Sequence, residues 1–141
     1  MRPFLPIFFL LLACSEQSSQ PPDQPEAVAT GVFAGKGRDR LCIANEASGS
    51  HVGIVTYGDG DNSCTLKGNV TQAEHGMLVE AMGDPACKLL VESNGETLIS
   101  RVPDPKACEY YCGPGATMAD RSFRRDSSAS PAVDFAGDPL C

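Results

Sequence analysis

Six cysteines, at positions 42, 64, 87, 108, 112 and 141, constrain this chain more than any other feature. A seventh, Cys14, stands apart at the end of a short apolar run. The chain opens Met1-Arg2-Pro3 and is then apolar from Phe4 to Ala13, broken only by Pro6. About ten apolar residues are too few for a bilayer-spanning helix, which needs roughly 20. Behind a single positive charge they match the apolar core of a signal peptide. An even set of cysteines in an exported chain reads as three disulfides closed in an oxidising compartment. The connectivity stays open at this level. Joining neighbours along the chain gives the working expectation Cys42–Cys64, Cys87–Cys108 and Cys112–Cys141. Each bridge over a loop of about 20 residues contributes roughly 3 kcal/mol through loop-closure entropy. That is a large share for a domain of this length that has no tryptophan.

The run ends Leu11-Leu12-Ala13-Cys14, which resembles the lipobox of bacterial lipoproteins. The resemblance implies that residues 1–13 are removed, that Cys14 carries the lipid, and that the bilayer is a partner through the acylated cysteine. Ser15 follows, not Asp; by the same resemblance this favours the outer membrane, with the protein facing the periplasm. More than one acyl chain makes such anchoring stable. Residues 14–29 continue as Ser, Gln and Pro with almost no apolar side chain. Such a stretch buries too little to offset its ordering entropy and reads as a disordered tether. The folded part is then residues 30–141, one domain.

Within that part the apolar stretches are short and punctuated by glycine. The expected strands are Gly31–Ala34, Arg40–Ala44, Val52–Tyr57, Cys64–Val70, Met77–Ala81, Cys87–Glu92 and Thr97–Val102. Spacings near ten residues point to an all-β fold, a small disulfide-linked barrel or sandwich with at most one short helix. Asn94-Gly95 between two β-type runs marks a two-residue hairpin, and Gly58–Ser63 reads as a hairpin loop. The one helical candidate is Ala116–Asp120.

The chemistry is sparse. The chain carries 11 Lys and Arg against 18 Asp and Glu. No basic stripe offers itself to nucleic acid, and Arg121, Arg124 and Arg125, the only basic cluster, read as a solvated edge. Cys108 and Cys112 form a close pair without the second pair that a structural zinc site uses. Their spacing also misses the Cys-x-x-Cys redox pattern. Asp59, Asp61 and Ser63 alternate as in a calcium loop, but the glycine and glutamate that an EF-hand needs are missing. His51 and His75 lie beside turns with no nucleophile nearby in sequence. No catalytic motif is present, so the expectation is a non-enzyme with no cofactor and no metal.

Residues Ala107–Met118, "ACEYYCGPGATM", are the densest feature. If extended, Cys108, Tyr110 and Cys112 share one face and Glu109 and Tyr111 the other. The two cysteines then bridge to separate partners, and Glu109 and Tyr111 become the candidate partner-facing residues. This segment, the ending Asp134–Cys141 and Arg40–Ile43 resemble a group of small uncharacterised proteobacterial lipoproteins and exported proteins. The resemblance implies a disulfide-linked domain that includes the C-terminus, and no activity. The expected function is a membrane-anchored binding or inhibitor module, a design that small periplasmic lysozyme inhibitors share at the level of fold. The alternatives are a structural envelope-maintenance lipoprotein or, further off, a cell-wall-acting enzyme.

Overall fold

The computed structural model describes residues 30–141. The signal peptide expected over 1–13, the lipid attachment expected at Cys14 and the tether expected over 14–29 lie outside the described residues. Eight antiparallel strands follow one another round a closed barrel. They are β1 (Gly31–Ala34), β2 (Arg40–Glu46), β3 (Gly49–Tyr57), β4 (Ser63–Ala73), β5 (Gly76–Ala81), β6 (Asp84–Asn94), β7 (Thr97–Arg101) and β8 (Arg121–Arg125). Each pairs with its neighbour in sequence, and β8 returns to β1 through Phe33 opposite Arg125 and Ala34 opposite Arg124. Closure removes the exposed sheet edges that a sandwich would have to protect. All seven expected strands form, several longer than their apolar runs, because the ladder continues through polar residues into the hairpin turns.

The interior follows the two-residue period of a strand. Leu41 and Ile43, Val52 and Ile54, Cys64 and Leu66, Met77 and Val79, Leu89 and Val91, Leu98, Phe33 and Phe123 form one buried cluster. Eight strands leave a narrow interior, and these side chains occupy it below an open mouth at one end. Burying each large one stabilises by about 1.5–3 kcal/mol.

β8 is the strand that sequence patterning missed. Arg121-Ser-Phe-Arg-Arg has one apolar residue, Phe123, and that residue is fully buried. Arg121 and Arg125 share its face of the strand. At one end Arg121 reaches buried Asp39. At the other, the Arg125 guanidinium lies 4.9 Å from the Phe33 ring centre and donates to the Thr30 carbonyl at 2.5 Å. Arg124 and Arg125 are exposed, as a solvated edge requires, whereas Arg121 is partly buried against Asp39.

The meander gives two unlike ends. Short turns join β2 to β3, β4 to β5 and β6 to β7 at the end where β1 begins and β8 stops. In the last of these turns Asn94 pairs with Thr97 across Gly95 and Glu96, with Gly95 at φ +64°. The expected two-residue hairpin is there, with glycine as the first loop residue, the type II′ position. The long β7–β8 connection covers the opposite end.

The disulfides are Cys42–Cys141, Cys64–Cys112 and Cys87–Cys108. Of the expected pairs only Cys87–Cys108 forms. Cys42–Cys64 is ruled out by strand alternation: Cys42 sits between inward Leu41 and Ile43 and points outward, whereas Cys64 points in. Outside the barrel Cys42 joins Val55, Ala132 and Leu140 in a second buried cluster. Residues 126–141 thus run over the outer face of β2 and β3, and Cys141 meets Cys42 there. Cys112 stands opposite Cys64 at the covered end, which takes it away from Cys141.

Candidate binding surface at the disulfide-capped end

The connection from β7 to β8 is a lid. Met118 plugs the barrel end and is fully buried. The inward hydroxyls of Thr56 and Ser100 donate to the carbonyls of Thr117 at 2.8 Å and Met118 at 2.5 Å. These bonds hold residues 116–118 across the barrel end, so the helix expected over Ala116–Asp120 does not form. Before them, the Ala116 N–H donates to the Gly113 carbonyl at 3.1 Å, and Gly115 has φ +75°. Pro114 then Gly115 at the centre is the type II pattern. A Cβ on Gly58 would stand 2.4 Å from the Gly115 carbonyl oxygen, so the β3–β4 loop and the lid touch backbone to backbone.

The helical turn lies earlier, as a 3-10 turn over Glu109–Tyr111. The extended reading of this segment is therefore corrected. Cys108 and Cys112 do bridge to separate partners, one on β6 and one on β4. The tyrosines, however, sit otherwise than an extended chain places them. Tyr110 is 90% exposed, whereas Tyr111 is half-buried against the core. The rings meet edge to face with centroids 5.3 Å apart. Glu109 is exposed beside Tyr110. Of the two residues expected to face a partner, Glu109 is open to one and Tyr111 mainly supports Tyr110. The β5–β6 turn, whose Met82 is half exposed, belongs to the same end. A recess of about 470 Å³ runs along the lid, lined by Val102, Pro105, Pro114, Ala116 and Met118 among others.

Tyr111 also donates its hydroxyl to Asp84 at 3.4 Å. Burial, and then the Asp84 charge, hold its pKa above the usual tyrosine value. A raised folded-state pKa stabilises the fold below the unfolded tyrosine pKa and ceases to do so as pH rises through the folded value. The protein should therefore lose stability as pH climbs past about 10. Tyr111→Phe should flatten that part of a urea-unfolding pH profile.

Beside the lid, Asp39 is the main buried carboxylate. It accepts the Tyr57 backbone N–H at 2.8 Å and lies 3.5 Å from Arg121 Nη1. Arg121 also donates to the carbonyls of Thr117 and Tyr57. One guanidinium thus ties β8, the lid and the end of β3 together. No sequence motif marks Asp39, because its partners come from segments far away in the chain.

The opposite mouth is a bowl of about 1200 Å³. Its floor is Phe33, Ile43, Met77, Val91 and Leu98, all buried, and its rim includes Glu74, His75 and Glu96. His75 is exposed, whereas His51 is only 4% exposed, on the outer face of β3 with Nε2 3.7 Å from a Glu46 oxygen. Among the described residues no three His, Cys, Asp or Glu side chains gather as a metal site. Comparison of the chain with family models, with curated proteins and with solved structures finds no match.

Proposed function

We propose that this protein is a lipid-anchored binding module of the bacterial envelope. It is held in the outer membrane through Cys14 and meets a periplasmic or envelope protein with its disulfide-capped end. The observation that carries this reading is Tyr110, nearly fully exposed on a turn that two disulfides fix on either side. Aromatic side chains fixed before binding lose little entropy when they seat, which is why they dominate protein interfaces.

The placement of the termini supports the same picture. β1 begins at the bowl end, so a tether from Cys14 joins the barrel there. Fully extended at ~3.1 Å per residue, residues 14–29 would reach about 50 Å. A tether of that length leaves the capped end free to reach a partner away from the bilayer.

Two measurements on the full-length protein test the proposal. Cys14→Ser should move the protein from the membrane to the soluble envelope fraction. A photo-crosslinking residue at position 110 should give a discrete protein adduct in intact cells, and Tyr110→Ala should weaken the same interaction at least about tenfold. Purified c-type and i-type lysozymes are the first soluble candidates, at micromolar concentration. Retention of the Cys14→Ser protein in the membrane would remove the anchor. Absence of any adduct at position 110, in cells and with the lysozymes, would remove the binding role of this end.

A further inference from the structure

The barrel closes at β8, yet the chain continues over residues 126–141. This segment is built to present one side chain. Ala132 and Leu140 are buried at its base, the Leu140 N–H donates to the Ala132 carbonyl at 3.0 Å, and Cys141 is bonded to Cys42 on β2. Val133 and Pro139 pair across the stem. At the tip Asp134 organises the turn. Its backbone N–H and carbonyl bond to the Asp138 carbonyl and the Gly137 N–H, at 2.9 and 3.0 Å. Its carboxylate accepts the N–H groups of Ala136 and Asp138, both at 2.9 Å. Gly137 takes φ +89° to close the loop. Phe135 projects from this turn and is 94% exposed, the most exposed of the large apolar side chains described.

A lone exposed apolar residue is ordinary on a protein surface. This one differs in being held. Its turn is closed by bonds to Asp134 backbone and carboxylate, its stem is paired, and its base is buried and covalently fixed. An aromatic group fixed in advance and surrounded by solvent is the form of an interface anchor that fills a pocket on its partner. Within the segment the charge is one-sided: residues 126–141 hold Asp126, Asp134 and Asp138 and no Lys or Arg, and Arg40 of β2 meets it at its start, at the Ser130 carbonyl. Asp138 beside the tip is exposed.

We propose that the Phe135 hairpin is a second, independent docking element, which inserts its ring into an apolar socket on a partner protein bordered by basic side chains. The ring supplies the buried contact, and Asp138 and its neighbours set orientation and speed of encounter. The element extends the binding role proposed above but does not use the capped end.

The test introduces a photo-crosslinking residue at position 135 of the full-length chain, with positions 110 and 96 in parallel. The expected result is a protein adduct at 135 and none at Glu96, which is exposed on the β6–β7 turn. With the adduct partner purified, Phe135→Ala should weaken binding at least about tenfold and Phe135→Leu should restore most of it. Asp138→Asn should slow association and reduce its salt dependence. Any of four results overturns the proposal: no adduct at 135, an equal adduct at 96, an adduct to lipid or to a second copy of the chain, or a partner whose affinity ignores Phe135→Ala. An adduct at 110 without one at 135 leaves the capped-end reading standing and this one refuted. The converse result separates them in the other direction.

Discussion

Replacing Cys42 and Cys141 together by alanine is expected to lower the unfolding free energy by about 4.7 kcal/mol. The bridge joins residues 99 apart in sequence and so closes the longest of the three loops. Closing a loop costs entropy that grows with the logarithm of its length. The same reasoning ranks the others: Cys64–Cys112, 48 apart, at about 4 kcal/mol, and Cys87–Cys108, 21 apart, at slightly over 3 kcal/mol. A domain of this size has about 5–15 kcal/mol of net stability, so any one loss is severe and the first brings unfolding close. Urea denaturation of the three paired variants measures the ranking. The loops overlap, so the losses should fall short of additive. A reversed order, with Cys87–Cys108 the most costly, would show that packing under the lid outweighs chain entropy. The Cys42–Cys141 variant should also free the Phe135 hairpin, seen as faster hydrogen exchange at the Leu140 amide.

The second large effect belongs to Asp39. Asp39→Ala should cost about 3–5 kcal/mol, the usual loss when one member of a buried charge pair is removed. The reason is what remains behind. The Tyr57 N–H loses its 2.8 Å acceptor, and the Arg121 guanidinium keeps its charge with only carbonyl partners. Arg121 retains some exposure, which places the expectation near the lower end of that range. Asp39→Asn should cost less, because an amide oxygen still accepts from Tyr57. A double-mutant cycle with Arg121→Met measures the pair itself and should give a coupling of at least about 1 kcal/mol. A coupling near zero would mean that Asp39 serves the Tyr57 backbone alone. In either case the lid should loosen with Asp39→Ala, so binding through Tyr110 should weaken as well.

Much of the architecture could be read directly. Glycine-punctuated apolar runs of period two made strands of 31–34, 52–57, 77–81 and their neighbours, and Asn94-Gly95 marked its hairpin. Strand β8 escaped because a strand lined by one phenylalanine and two arginines carries no apolar alternation. Arg121 and Arg125 gain their contacts only once Asp39 and Phe33 have been brought beside them. The tyrosine pair misled for a related reason. Assigning faces to Tyr110 and Tyr111 needed the local conformation, and that conformation is set by Cys108 and Cys112 reaching two different strands. Phe135 carried a visible sequence signal, an aromatic residue between Asp134 and Gly137, but nothing in the sequence distinguished a buried phenylalanine from a presented one.

The sequence by itself determined an all-β domain, the number of its bridges and seven of the eight strands that compose it. Those properties depend on the side-chain period along a strand and on the even number of cysteines between positions 42 and 141, and both are local or countable. Only the tertiary structure decided which cysteines pair, which tyrosine faces out and what the arginines do. A disulfide needs two sulfur atoms on the same side of a sheet and within bonding reach. That condition concerns positions in space, which the order of residues along the chain does not contain.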